Sequence, residues 1–172
     1  MKQSLRIVLD FLGVLFLLAI FALGGIYIYT FSPGTDKVNQ ATPEQVKFVL
    51  NWGGIKGNQD YSVVFSYEQR NHFLPDHLVY YCLQLSDLSV DERQRDDWKV
   101  GPETNPVFSG VIDIAANSGK SNECFTNHAQ PNSKEVQTLF WAVHTHGRFP
   151  AGAQVLLYET SSRRLLYVDY ET

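Results

Sequence analysis

Two histidines one residue apart, in His144-Thr145-His146, are the residues whose chemistry first needs an account; His72, His77 and His128 are the other three. An i, i+2 pair can share a metal ion on a strand, where alternate side chains point to one face. On a helix the same two side chains diverge by about 200° and cannot share one. The stretch reads as a helix end, so no metal ion and no other cofactor is expected. A histidine near a helix C-terminus already has a structural use against the last carbonyls. Paired with a carboxylate such as Asp113 or Glu135, His144 or His146 would instead supply acid–base chemistry, and these four residues are the catalytic candidates.

A nucleophile is harder to find. The chain has no Gly-x-Ser-x-Gly elbow, no His-Glu-x-x-His, no Gly-x-x-x-x-Gly-Lys and no Cys-x-x-Cys. Its two cysteines, Cys82 and Cys124, allow one intramolecular bridge in an oxidising compartment. That bridge would close a loop of about 40 residues and stabilise the fold by about 3–4 kcal/mol. A thiol paired with a histidine is the competing use, and a disulfide removes it. Cys82 also sits in the apolar run LVYYCLQL, where a small buried residue suffices.

The charged stretch 86–104 gathers Asp87, Asp91, Glu92, Asp96 and Asp97 among Arg93, Arg95 and Lys99. A calcium loop needs oxygen ligands at alternating positions and a glycine at its bend, and this stretch lacks both, so it reads as a solvated loop. Ser162-Arg163-Arg164, with Arg148, reads as a small solvated basic spot, and Trp52, Trp98 and Trp141 read as core or semi-buried residues rather than ligand platforms.

What positions all of these is the apolar run 7–29, IVLDFLGVLFLLAIFALGGIYIY, which opens at Ile7 and closes at Tyr29 with one ionisable interruption, Asp10. A helix of about 20 apolar residues spans a bilayer, and the run reads as a single transmembrane helix in contact with membrane lipid. A cleaved signal peptide has a shorter apolar core and small residues at its end. Here Ile26, Tyr27, Ile28 and Tyr29 are bulky, so the reading is an uncleaved signal anchor. Asp10 is expected near the headgroups beside Arg6, while Tyr27, Tyr29 and Phe31 suit the opposite interface. Lys2 and Arg6 keep the N-terminus cytoplasmic. The rest then lies outside the cytoplasm, in the periplasm if the cell is Gram-negative. No Asn-x-Ser/Thr sequon points to glycosylation.

With Lys2, Arg6 and Asp10 set aside, 12 basic and 17 acidic residues leave a charge of −5, which argues against a nucleic-acid partner. Residues 31–41, rich in Pro, Gly and polar types, read as a tether after the 1–30 anchor, and 42–172 as one domain. Thr42-Pro43-Glu44-Gln45 is a capping box that starts a short helix ended by Gly53-Gly54. Residues 61–67 and 78–85 read as one hairpin, and 153–159 and 164–170 as another. Asn105-Pro106 opens a second helix to Gly119, with a strand as the alternative because of its β-branched residues and Gly110, and Ser133 caps a third along Val136, Leu139, Phe140 and Val143 to Gly147. The expected fold is therefore α+β, an antiparallel sheet of two hairpins packed against about three short helices, with a repeated αββ unit as an option.

The function expected from this is a single-pass envelope protein of the cytoplasmic membrane. Its non-catalytic outer domain would serve as a protein-interaction or accessory subunit with a protein partner. The alternatives are a small anchored hydrolase or metal-binding enzyme using His144 and His146 with a carboxylate, and a ligand-binding sensor module.

Overall fold

The computed structural model describes residues 2–31, 40–56, 59–70, 76–125 and 130–172. His72, His128 and most of the expected tether, 32–39, lie outside the described residues, as do the side chains of Arg6, Asp10, Tyr29 and Phe31. The chain divides into two units, Met1–Gly34 and Thr35–Thr172.

The first unit is one helix, α1 (Lys2–Phe31). Its described side chains cover 12–28, 17 residues, and all of them are exposed. Among the described residues no helix is long and apolar enough to cross a membrane.

In the second unit the capping box forms as its residue types require. The Gln45 N–H donates to Thr42 Oγ1 at 3.3 Å, and the Thr42 N–H donates to Gln45 Oε1 at 2.7 Å. This starts α2 (Pro43–Trp52), which buries Val46, Val49 and Leu50. Gly54, at φ +64°, turns the chain out of the helix, and a side chain there would run into Gln94. The Asn105 side chain accepts the Val107 N–H at 2.9 Å and starts α3 (Pro106–Asn117), which buries Val111, Ile112, Ala115 and Ala116.

Six antiparallel strands follow the order β1-β2-β6-β5-β4-β3, with β1 Tyr61–Arg70, β2 His77–Leu85, β3 Lys99–Val100, β4 Val136–His146, β5 Phe149–Glu159 and β6 Arg164–Glu171. One face, with Val79, Tyr81, Leu83, Leu156 and Tyr167, packs on α2 and Trp98. The other, with Cys82, Val155, Leu157, Leu166 and Val168, packs on α3. Each fully buried aliphatic side chain in these two layers contributes about 1.5–3 kcal/mol of transfer free energy. Cys82 and Cys124 are joined by the expected disulfide, with Cα atoms 5.6 Å apart. It ties β2 to the short 3-10 turn Ser121–Cys124.

Three expectations are corrected. The third helix is a strand: Ser133 lies in a turn and 136–146 form β4. Val136 and Phe140 face α3, but an extra residue at Trp141 shifts the register, so Val143 takes the next place on that face. The bulge thus creates an i, i+4, i+7 spacing that imitates a helical stripe. Among its described residues the second unit therefore has two α-helices, and the sheet is one six-stranded layer in which both expected hairpins are present. The αββ repeat is not matched either, because α3 leads into a meander of three long strands.

The stretch 86–104 is not a free loop but a strap fastened to the rest of the unit. The Lys56 N–H donates to Ser89 O at 3.0 Å, the Asp91 N–H to Gly54 O at 2.8 Å, and Ile55 bridges Val90. The Trp98 indole N–H donates to Gly53 O at 3.0 Å, and Lys99 and Val100 then pair with Thr138 and Gln137.

Tyr170, only 3% exposed on the α3 face, has a hydroxyl with no hydrogen-bond partner among the described residues. Burial pushes its phenol up to about 12. The unfolded chain releases that proton near pH 10. The stabilisation linked to the retained proton is thus complete below pH 10 and is lost as pH rises through 12. Tyr170→Phe should escape the loss of about 2–3 kcal/mol that the parent suffers there. Urea unfolding of both proteins at pH 8 and pH 12 checks this, and equal losses in the two would refute it.

Candidate functional site

Because 136–146 are a strand, His144 and His146 point to the same face, and the geometric objection to a shared metal ion disappears. Among the described residues, however, no group of three or more His, Cys, Asp and Glu side chains is placed to hold a metal ion. Both histidines are exposed at the end of the β4–β5 hairpin, where His144 pairs with Gly152 and His146 with Phe149. Glu135 precedes the opposite end of β4, about 30 Å away at strand rise. Its carbonyl accepts from the Thr160 N–H and hydroxyl, each at 3.1 Å. Asp113 is exposed on α3, and among the described residues no hydrogen bond or ion pair joins it to either histidine. The four catalytic candidates are therefore not brought together.

Among the described residues, the histidine that meets carboxylates is His77. Its Nε2 lies 2.8 Å from Asp169 Oδ1 and its Nδ1 3.9 Å from Glu171 Oε2. Asp169 Oδ2 also accepts from Gln154 Nε2 at 3.1 Å. One carboxylate on β6 thus fastens β2 and β5, beside a groove that Glu44, Phe48 and Tyr167 also line. No sequence motif marks this cluster, since it depends on the pairing of His77 with Glu171 and of Asp169 with Gln154.

The arginines expected as a solvated spot do structural work in part. Arg164 Nη1 donates to Cys124 O at 3.0 Å, and Arg163 Nη1 to Ser86 O at 2.8 Å. Arg148 is exposed in the β4–β5 turn.

Two of the exposed large apolar side chains described in the second unit, Trp141 and Phe149, lie on the β4–β5 hairpin. β3 pairs only with Gln137 and Thr138, so among the described residues the outer edge of 139–146 has no strand neighbour. The bulge sets Trp141 outward at 65% exposed, and Phe149, across the hairpin, is 77% exposed. Beside this edge is a groove of about 600 Å³ lined by Trp52, Phe108, Phe140 and Trp141, with Asp96 and Asp97 on its strap side. Trp52 and Trp141 have ring centroids 5.5 Å apart, and Phe108 and Phe140 4.8 Å apart. Lys99 Nζ sits 5.4 Å from the Phe108 centroid and 3.8 Å from Glu103 Oε2. Of the three tryptophans, Trp98 is core and Trp52 half-buried, both as expected, whereas Trp141 is exposed.

The described unit is thus an α+β domain with a six-stranded antiparallel sheet and an open, aromatic strand edge. No protein-family model, no curated protein and no solved structure matches the chain.

Proposed function

We propose that this is a single-pass envelope protein whose extracytoplasmic domain is a non-catalytic protein-interaction or accessory subunit that presents the β4 edge to a protein partner. The observation carrying this reading is the unpaired 139–146 edge with Trp141 and Phe149 exposed beside it. An edge strand offers a row of free backbone donors and acceptors, and exposed aromatics add area at low entropic cost. The anchor is supported by the apolar composition of 7–29 and by exposed side chains such as Phe16 and Phe21, which water would not tolerate in such number. The N-terminal Lys2 and Arg6 support an outer domain, and the disulfide fits an oxidising compartment. The bridge leaves no free cysteine, so a thiol nucleophile is excluded.

A photo-crosslinking residue in place of Trp141, activated in native membranes, should trap a defined protein, while one in place of Asp113 should not. A fluorescent reporter that folds only in the cytoplasm, fused after Thr172, should stay dark. Equal trapping at both positions would sink the interaction reading, and a bright reporter the orientation.

The second reading, a small anchored hydrolase, is favoured by the His77–Asp169 pair beside its groove. Ester or peptide hydrolysis abolished by His77→Gln in a folded protein would move the balance to it.

A further inference from the structure

We infer that the partner segment is an extended basic peptide, which adds a strand to the 139–146 edge and seats a lysine or arginine in the neighbouring aromatic groove. The inference rests on the interaction reading above and narrows it to one ligand chemistry. Two ring pairs line the groove, Trp52–Trp141 on the α2 side of the sheet edge and Phe108–Phe140 on the α3 side, and Asp96 and Asp97 belong to the same lining. Aromatic faces carry negative potential, and a cation within about 6 Å of a ring centroid is attracted by it. The groove already shows this chemistry in its own wall, where the Lys99 ammonium lies 5.4 Å from the Phe108 centroid. That ammonium is shared with Glu103, which leaves Asp96 and Asp97 to meet an incoming cation.

The strand geometry agrees. A peptide paired with β4 beyond the bulge, along 142–146, puts every second side chain on one face, so one alternation phase aims at Trp141 and the strap while the backbone supplies the hydrogen bonds. The charge of −5 on the chain beyond Asp10 draws basic segments and repels acidic ones and nucleic acid. A second copy presenting the same edge fits poorly, because LFWAVHTH at 139–146 contains no lysine or arginine to face Asp96 and Asp97.

The test is selection from a random nonapeptide library displayed on phage, against the full chain held in detergent micelles. Selected sequences should alternate Lys or Arg with β-branched residues. A synthetic peptide of the selected sequence should bind at least about tenfold more weakly to Trp141→Ala and to the double variant Asp96→Asn, Asp97→Asn, the loss expected for about 1.4 kcal/mol. N-methylation of its alternate backbone nitrogens should weaken it similarly. Circular dichroism and retention of the disulfide show that each variant is folded. Selection of acidic or neutral peptides, binding indifferent to the substitutions or to N-methylation, or no enrichment overturns the inference. A protein trapped at position 141 without any selected basic peptide refutes the ligand chemistry alone, and failure of both refutes the edge as an interface.

Discussion

Replacing Cys82 and Cys124 together by alanine should lower the unfolding free energy of the second unit, Thr35–Thr172, by about 4 kcal/mol. The cysteines are 42 residues apart, so the bridge removes a large share of the unfolded chain's freedom. In the folded state the 3-10 turn that carries Cys124 has other fastenings, since Arg164 Nη1 holds the Cys124 carbonyl at 3.0 Å. The effect should therefore appear chiefly through the unfolded state, with native spectra little changed. Alanine is the informative substitute, because serine at these fully buried sites would add an unpaired hydroxyl. Urea titrations of the parent with and without reductant, and of the double variant, measure the difference. A loss below about 1 kcal/mol would mean that the chain between the cysteines is already restricted when unfolded.

Trp98→Ala is the second large effect, with an expected cost of about 3–5 kcal/mol. The indole is 7% exposed, belongs to the buried cluster under α2 that also holds Leu50 and Leu156, and donates its N–H to Gly53 O. Trp98→Phe keeps most of the volume but leaves that carbonyl without its donor, and should cost about 1–3 kcal/mol. The residues on either side give the substitution a local signature as well. Asp96 and Asp97 precede Trp98 and line the aromatic groove, and Lys99 and Val100 follow it and pair with β4. Amide exchange at Lys99 and Val100 should accelerate in the alanine variant at urea concentrations where β5 and β6 remain protected. Uniform acceleration throughout the sheet would show that the strap and the core unfold as one.

What could be read from the residues alone followed from how local the signal was. The Thr42 capping box and the Asn105-Pro106 start are set by side chains within three residues of the bonds they make, and both helices begin where expected. The strands 61–67, 78–85, 153–159 and 164–170 were visible because β-branched and aromatic residues crowd there, and all four lie inside β1, β2, β5 and β6. β4 was concealed because its first half packs on both sides, Val136 and Phe140 on one and Leu139 on the other, and its bulge falls between Phe140 and Ala142, which breaks the period-2 pattern. The strap was concealed for a different reason. Its holding groups are mainly backbone atoms and one indole, so its charged side chains carry no trace of the contacts that fasten it. For the candidate site, Trp141 and the histidines lay in a segment read as helical, so the edge they occupy was not visible. The meeting of His77 with Asp169 depends on a register between strands 92 residues apart.

β6 follows every other strand in the chain yet stands between β2 and β5 in the sheet. The β1–β2 hairpin and the β3–β5 group therefore share no neighbour until that strand has been made. During synthesis the earlier strands wait with open edges, and a product cut short before Arg164 would leave two sheet fragments rather than a trimmed domain. Under the proposed topology this delay has a use, since a polypeptide that cannot close its sheet early remains slack enough to be threaded across a bilayer.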